Sequence, residues 1–245
     1  MTLNMLFLAW TIWAAVILGA EITQRRDKIV EAGAEKEAEA NFSRALVNLG
    51  AMQKSAQRLA ENGKGEAALV GAVSTNVLQK QKAVLEKFYA AAKPVSKGHL
   101  LSMAEVEQPE EIEQRKDLVR KSIVATKALA DFSHNFENDY REELVRRGVP
   151  LSSVVSGLQV VHTNMIAMNR WVERMGAARL EWAQNELAAS DLLKTNWGRW
   201  LYDGDVRKVV FQDKSQEAEF NRLVREINRT SQAMQALQQQ MLRIQ

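Results

Sequence analysis

Aromatic and basic side chains are concentrated in the stretch from Trp197 to Phe211. Aromatic faces stack on bases and attract cations, and basic groups attract phosphates, so such a stretch can contact nucleic acid, lipid headgroups or a protein partner. Buried aromatic side chains also close the open ends of helical bundles, and we favour this use of the stretch. The residues that we predict as a partner or lipid contact are Trp197, Arg199, Trp200, Tyr202, Arg207 and Lys208.

The sequence contains no recognisable catalytic or metal-binding motif. The three histidines, His99, His134 and His162, are isolated from one another, and the nearest approach to a di-iron motif is a single Asp131-x-x-His134. Di-iron bundles need Glu-x-x-His on facing helices. The chain also lacks cysteine, a nucleophile elbow, a Walker loop and a dinucleotide-binding glycine motif. We therefore predict a protein that is not an enzyme and uses no metal or cofactor.

The composition indicates an all-α protein. Its 245 residues contain only 3 Pro and 12 Gly, and strong helix formers dominate. The 33 basic and 30 acidic residues give a net charge of +3, which is too balanced for a dedicated nucleic-acid binder, so no nucleic-acid partner is expected. The absence of cysteine excludes disulfides and a lipidated cysteine, but it is compatible with any compartment.

The N-terminal segment is the longest apolar run. Residues 3–20 carry no charge, and as a helix they would extend about 27 Å, close to the hydrocarbon thickness of a bilayer. We predict a transmembrane anchor over residues 1–21 and a helical bundle over residues 22–245. A cleaved signal peptide ending at 18–20 and a buried core helix are the alternatives. Basic residues at 25–28 favour a cytoplasmic body, whereas uncleaved signal-like segments often export the chain that follows.

Few breaks separate the helix-forming segments of the body. The first predicted helix covers 22–61 and ends at the Asn-Gly-Lys-Gly sequence of 62–65. The second covers 66–93, because the residue before Pro94 avoids the α region. The segment 95–108 is the longest irregular connection.

Proline and glycine mark the ends of the later helices. Pro109 suits the first turn of the third helix, which ends near Arg147 before Gly148. Ser152 or Ser153 would cap the fourth helix, which continues to about Lys194.

The remaining C-terminal chain is predicted as a short extended piece followed by one more helix. The extended piece covers 206–211, and Ser215 would cap the last helix.

Apolar stripes predict which faces of these helices are buried. The stripe of the third helix consists of Leu118, Ala125, Leu129, Phe132, Phe136 and Tyr140. The stripe of the fourth, with coiled-coil spacing, consists of Val154, Leu158, Val161, Met165, Met168, Val172, Met175 and Trp182. The stripe of the last consists of Phe220, Leu223, Ile227, Met234, Leu237, Met241 and Ile244. Long helices with short connections predict an elongated antiparallel bundle of four to five helices. Thr230 would make the centre of the bundle partly polar. Arg179 would do the same unless its side chain extends outward to water.

The stretch from Asp203 to Leu223 resembles the C-terminal signature of the YiaF-like bacterial envelope proteins. The matching positions are Gly204, Phe211, Ser215, Gln216, Ala218, Phe220, Asn221 and Leu223. The family consists of small helical membrane-attached proteins of unknown function. The resemblance implies an envelope location with the body in the periplasm. Family members attach through a lipidated cysteine, which this chain lacks.

Three functional hypotheses follow. The first is a non-enzymatic, single-pass protein of the bacterial inner membrane whose bundle binds a protein partner, self-associates or supports a membrane complex. The second is a ligand-sensing bundle outside the cytoplasm. The third is a membrane-tethered nucleic-acid binder, which would use the aromatic and basic stretch.

Overall fold

Five long helices and one short hairpin make up the part of the chain that the structure, a computed structural model, describes: residues 28–97, 106–206 and 208–242. The helices are α1 (Lys28–Asn62), α2 (Glu66–Lys97), α3 (Pro109–Arg146), α4 (Leu151–Thr195) and α5 (Lys214–Leu242). The hairpin, formed by β1 (Trp200–Asp203) and β2 (Lys208–Phe211), lies between α4 and α5. The fold is predominantly helical, as the composition predicts. The predicted anchor at 1–21 lies outside the described residues, and none of the described helices could span a bilayer.

The helices pack in chain order, each mainly against the helix before it and the helix after it. Contacts between α3 and α4 show that they are antiparallel, because Ser133 near the end of α3 meets Asn169 in α4, whereas Glu113 at its start meets Lys194. The other three neighbouring pairs are antiparallel in the same way, since contacts at two separate levels run in opposite directions along each pair. The start of α1, the end of α4 and the hairpin therefore all lie at one end of the bundle.

A row of contacts crosses the bundle at one level. The guanidinium of Arg179 in α4 lies over the ring of Phe88 in α2, 4.9 Å from its centre, and donates a hydrogen bond of 3.2 Å to the Ser122 hydroxyl in α3. The next residue of α2, Tyr89, stacks on Phe42 of α1 with ring centres 3.7 Å apart. Four helices are thus aligned along their axes at this level.

The predicted start and end of α3 are confirmed, whereas the predicted end of α2 is wrong. Pro109 occupies the first turn of α3, and Gly148 ends that helix with a φ of +86°, a left-handed conformation that favours glycine. Pro94 does not end α2, which continues to Lys97. A proline in the last turn removes only one hydrogen bond near the helix end, where few remain to be lost.

The caps of α4 and α5 also differ from the prediction. Helix α4 begins at Leu151, directly after Pro150, and has no side-chain cap. At α5 the carboxylate of Asp213 accepts hydrogen bonds from the backbone N–H and the hydroxyl of Ser215. Asp213 therefore takes the capping role that the sequence assigned to Ser215, since it stands immediately before the first helical residue.

The predicted buried stripes are confirmed for α4 and α5 wherever the side chains are described. Val161, Met165, Met168, Met241 and Ile244 lie outside the described side chains. The stripe of α3 is partly wrong: Leu118, Ala125 and Phe132 are only half-buried. The fully buried positions of α3 include Lys116, Ser122, Thr126 and Ser133. The centre of the bundle is therefore more polar than the apolar pattern of α3 indicates.

Helices α1 and α2 approach each other closely at Gly71. A Cβ at this position would lie 2.4 Å from the backbone nitrogen of Ala60 and 2.8 Å from the carbonyl oxygen of Ala56. Backbone atoms cannot move aside as a flexible side chain can, so the two helices would have to separate. In contrast, a Cβ at Gly50 in α1 would meet no atom within 4 Å.

We expect Gly71→Ala to destabilise the protein by about 1–3 kcal/mol, because the added methyl group overpacks the α1–α2 interface. The matched variant Gly50→Ala should gain about 0.5–1 kcal/mol from the lower helix propensity of glycine. Urea unfolding followed by circular dichroism measures both. Equal behaviour of the two variants would show that α1 and α2 do not approach closely at Gly71.

Candidate functional site

The predicted contact stretch forms the turn out of α4 and the two-stranded hairpin. Trp200 pairs with Phe211 and Tyr202 pairs with Val209, so these four side chains share one face of the hairpin. Leu201 pairs with Val210 on the opposite face. The sequence predicts the second strand, within 206–211, but misses the first.

The inward face of the hairpin closes the end of the bundle. The indole N–H of Trp200 donates a hydrogen bond of 2.8 Å to the backbone carbonyl of Leu193, in the last turn of α4. Phe211 is buried and its ring lies 5.6 Å from that of Phe220 in the first turns of α5. Tyr202 is half-buried beside them. For these three side chains, the structure agrees with the interpretation that they plug the bundle end.

The outward face and the tip of the hairpin carry exposed apolar side chains. Leu201 is 61% exposed and Val206, in the turn between the strands, is 57% exposed. Trp197 is 36% exposed and packs edge-to-face on Trp200, with ring centres 5.4 Å apart. Of the six predicted contact residues, Trp197 is thus partly available, while Trp200 and Tyr202 turn inward.

The basic residues of the stretch surround this apolar face. Arg199 and Lys208 are exposed at the two ends of the hairpin strands, and Arg207 lies outside the described residues. Asp203 accepts hydrogen bonds from the backbone N–H groups of Asp205 and Val206, which fixes the turn at the tip. The exposed hairpin therefore presents apolar side chains with charges of both signs.

A cluster of ion pairs joins α3 to α4 beneath the hairpin. Glu113 accepts hydrogen bonds from Lys194 at 2.6 Å and from Lys116 at 3.0 Å, and Lys116 also reaches Asp191 at 2.5 Å. Lys194, Lys116 and the neighbouring Arg120 lower the pKa of the Glu113 carboxyl to about 2. The start of α3 is thereby tied to the end of α4, which leads into the hairpin.

The buried face of α4 carries two ionisable residues seven positions apart, Arg179 and Glu186. Arg179 faces inward toward Ser122 and Phe88 and does not snorkel. Both carboxyl oxygens of Glu186 are buried, and neither has a hydrogen-bond partner among the described residues. Desolvation raises the pKa of Glu186 to about 8, although Arg115 acts in the opposite direction. At neutral pH the group therefore retains its proton.

Neither Glu186 nor Gln81 of α2 is predicted from the sequence. The buried side-chain amide of Gln81 has no hydrogen-bond partner among the described residues. A signal for Glu186 was present, since the four-and-three spacing of the α4 stripe continues through it to Leu193. Gln81 offers a comparable signal, because it lies four residues after Val77 and seven before Phe88, both of which are buried.

The histidine predicted to be nearest to a metal motif is exposed. His134 lies 3.9 Å from Glu173 at the surface of α3 and α4. His99 and the side chain of His162 lie outside the described residues. Within the described part of the chain, no three histidine or acidic side chains are grouped so that they could hold a metal ion.

A groove of about 640 Å³ runs between α2 and α3, toward the end opposite the hairpin. Phe132 and Phe136 lie at its base, and side chains of both charges line it, among them Lys80, Asp139 and Arg146. Three exposed apolar residues, Val145, Leu151 and Val155, lie around the α3–α4 turn near this end.

No family model, curated protein or solved structure matches this chain. The resemblance to the YiaF-like family consequently stays a prediction from the sequence.

Trp200 and its neighbour Leu201 should differ in their effect on stability. We expect Trp200→Ala to cost about 3 kcal/mol, because it removes a packed ring and the hydrogen bond to Leu193. Leu201→Ala should change stability by less than about 0.5 kcal/mol, because the side chain is exposed. Thermal unfolding of the two variants compares them directly, and a large loss in Leu201→Ala would place the outward face in the core.

Glu186→Gln should make the protein less sensitive to pH. The folded carboxyl keeps its proton up to about pH 8, whereas the unfolded one ionises near its ordinary pKa of 4.5. Between these values the unfolded state releases a proton that the folded state retains, so wild-type stability falls as the pH rises. The variant should be more stable by about 3 kcal/mol near pH 7 and nearly equal to wild type at pH 4.

Urea unfolding at a series of pH values tests this expectation. Glu173→Gln, at an exposed position of the same helix, is the matched control and should follow the wild-type curve. Parallel curves for Glu186→Gln and wild type would show that Glu186 is ionised in the folded protein.

Proposed function

We propose that this chain is a non-enzymatic membrane protein of the bacterial envelope, anchored by residues 3–20, whose bundle binds a protein partner or supports a membrane complex. The observation that carries the proposal is the position of the α1 start. Helix α1 begins at Lys28, shortly after the apolar segment, and the antiparallel packing places this start at the hairpin end. The anchor would therefore hold that end toward the bilayer.

The start of α1 and the end of α4, which leads into the hairpin, lie at nearly the same height along the bundle. Phe42 and Arg179 belong to one level, since both contact the Phe88–Tyr89 pair of α2. From Phe42 back to Lys28 is about 21 Å of helix, and from Arg179 forward to Thr195 is about 24 Å. The chain thus enters the bundle close to the plane from which the hairpin emerges.

The end of the bundle opposite the hairpin has features that support binding of a protein partner. Val145, Leu151 and Val155 form an exposed apolar group beside the α2–α3 groove. Apolar centres surrounded by charged rims are typical of protein–protein contacts. The groove carries acidic as well as basic side chains, which disfavours a nucleic-acid partner because phosphates would meet carboxylates.

A ligand-sensing bundle is the second candidate, and the groove is the observation that favours it. Its volume of about 640 Å³ lies in the range of small-molecule sites. A small molecule that binds only the folded protein would raise its melting temperature, which a thermal-shift screen detects. Phe132→Trp should abolish such a shift by filling the groove.

The envelope location and a periplasmic body come from the sequence resemblance and belong to the same proposal. Fusions of alkaline phosphatase and of a fluorescent protein after Gln245 distinguish the two orientations. An active phosphatase with a dark fluorescent protein is expected. The reverse pattern would place the body in the cytoplasm.

Charges placed inside the anchor should release the protein from the membrane. In the double variant Thr11→Arg/Ala14→Arg, two arginines at the centre of the apolar segment disfavour insertion by about 5–7 kcal/mol. We expect the wild type to resist carbonate extraction and the double variant to appear in the soluble fraction. Ala51→Arg, an exposed position of α1, is the control and should resist extraction like the wild type. Retention of the double variant would contradict the anchor.

A further inference from the structure

The hairpin exposes apolar side chains, and the packing of the bundle does not account for their exposure. Leu201 and Val206 expose most of their surface, and Trp197, which packs on Trp200, keeps 36% of its surface exposed. The inward face already closes the bundle, so the exposed parts of these three side chains are not used in packing. We propose that they contact the surface of the bilayer that holds the N-terminal segment. This inference rests on the membrane anchoring proposed above.

The bilayer is chosen over other occupants because of where the chain outside the described residues joins the bundle. The apolar residues 3–20 precede α1 by a few positions, and α1 begins at the hairpin end. A membrane that holds this segment must lie within a short distance of the hairpin. The apolar group at the far end, around Leu151, is separated from that membrane by the length of α4, about 67 Å.

The side chains of the hairpin suit the interfacial zone of a bilayer. Tryptophan is enriched there, and leucine and valine enter the acyl boundary readily. Arg199 and Lys208 are exposed on the flanks and can reach lipid phosphates. The exposed Asp205 is adjacent to Val206 at the tip and opposes deep insertion. The contact is therefore shallow and made mainly by apolar side chains.

The absence of cysteine from the sequence allows a clean test on the full chain. Single-cysteine variants carry one environment-sensitive fluorophore each, at Leu201→Cys or Val206→Cys in the hairpin. The controls are Leu151→Cys and Val155→Cys at the far end. The pairs match in residue type and exposure, with Leu151 60% exposed against 61% for Leu201, and Val155 54% against 57% for Val206.

Each labelled protein is reconstituted into vesicles of phosphatidylcholine and phosphatidylglycerol and exposed to aqueous iodide and to lipid-borne quenchers. Positions 201 and 206 should show severalfold weaker iodide quenching than 151 and 155, together with quenching from the lipid. Protection from iodide without lipid quenching would mean that a second copy covers the hairpin, and it would overturn the bilayer contact.

Failure of the hairpin contact and failure of the anchor are distinguishable. If the protein floats with the vesicles and resists carbonate, but positions 201 and 206 behave like 151 and 155, the bilayer contact is wrong and the anchor stands. If the protein does not float with the vesicles, both the anchor and the contact that depends on it are wrong.

Discussion

A guanidinium buried inside a helical bundle constrains the helices that supply its partners. The burial of Arg179 requires polar or aromatic groups at a fixed height along the bundle. Ser122 of α3 supplies an oxygen and Phe88 of α2 supplies a ring face. Slippage of either helix by one turn would remove these partners. The axial alignment of three helices, and through Tyr89 and Phe42 that of α1, is thus coupled to one side chain.

The same requirement explains why α3 differs from its predicted stripe. Periodicity of apolar residues selects Leu118 and Ala125, but the face turned to the centre carries Ser122 and Thr126. Hydroxyls of this kind bond within their own helix, as Thr126 does to the carbonyl of Ser122, and so tolerate burial. A pattern based on hydrophobicity alone cannot identify a face whose burial is made possible by a partner on another helix.

The ends of α3 depend on local backbone geometry, whereas the hairpin depends on pairing between two strands. Pro109 and Gly148 act through their own backbone geometry, which is why the sequence predicts them correctly. The first strand depends on its pairing with β2, which is not a local property. Once that register is known, the alternation of side chains turns Trp200 inward and Leu201 outward. The contact predicted from the sequence includes Trp200 and Tyr202, which the structure turns inward, whereas the unpredicted Leu201 is exposed.

The two halves of α4 are held by different kinds of interaction. Near its middle, Arg179 is engaged by two helices, whereas toward the hairpin Glu186 is buried without a hydrogen bond in the described structure. Beyond Glu186, ion pairs of Glu113 and Asp191 with Lys116 and Lys194 join α4 to α3; Lys116 is buried, whereas Asp191 and Lys194 are exposed. An unpaired buried polar group costs free energy of folding. Packing at the hairpin end must therefore offset the cost of burying Glu186. Any surface that covers the hairpin and adds to packing at this end would offset that cost, and the proposed bilayer contact would then contribute to stability as well as to position.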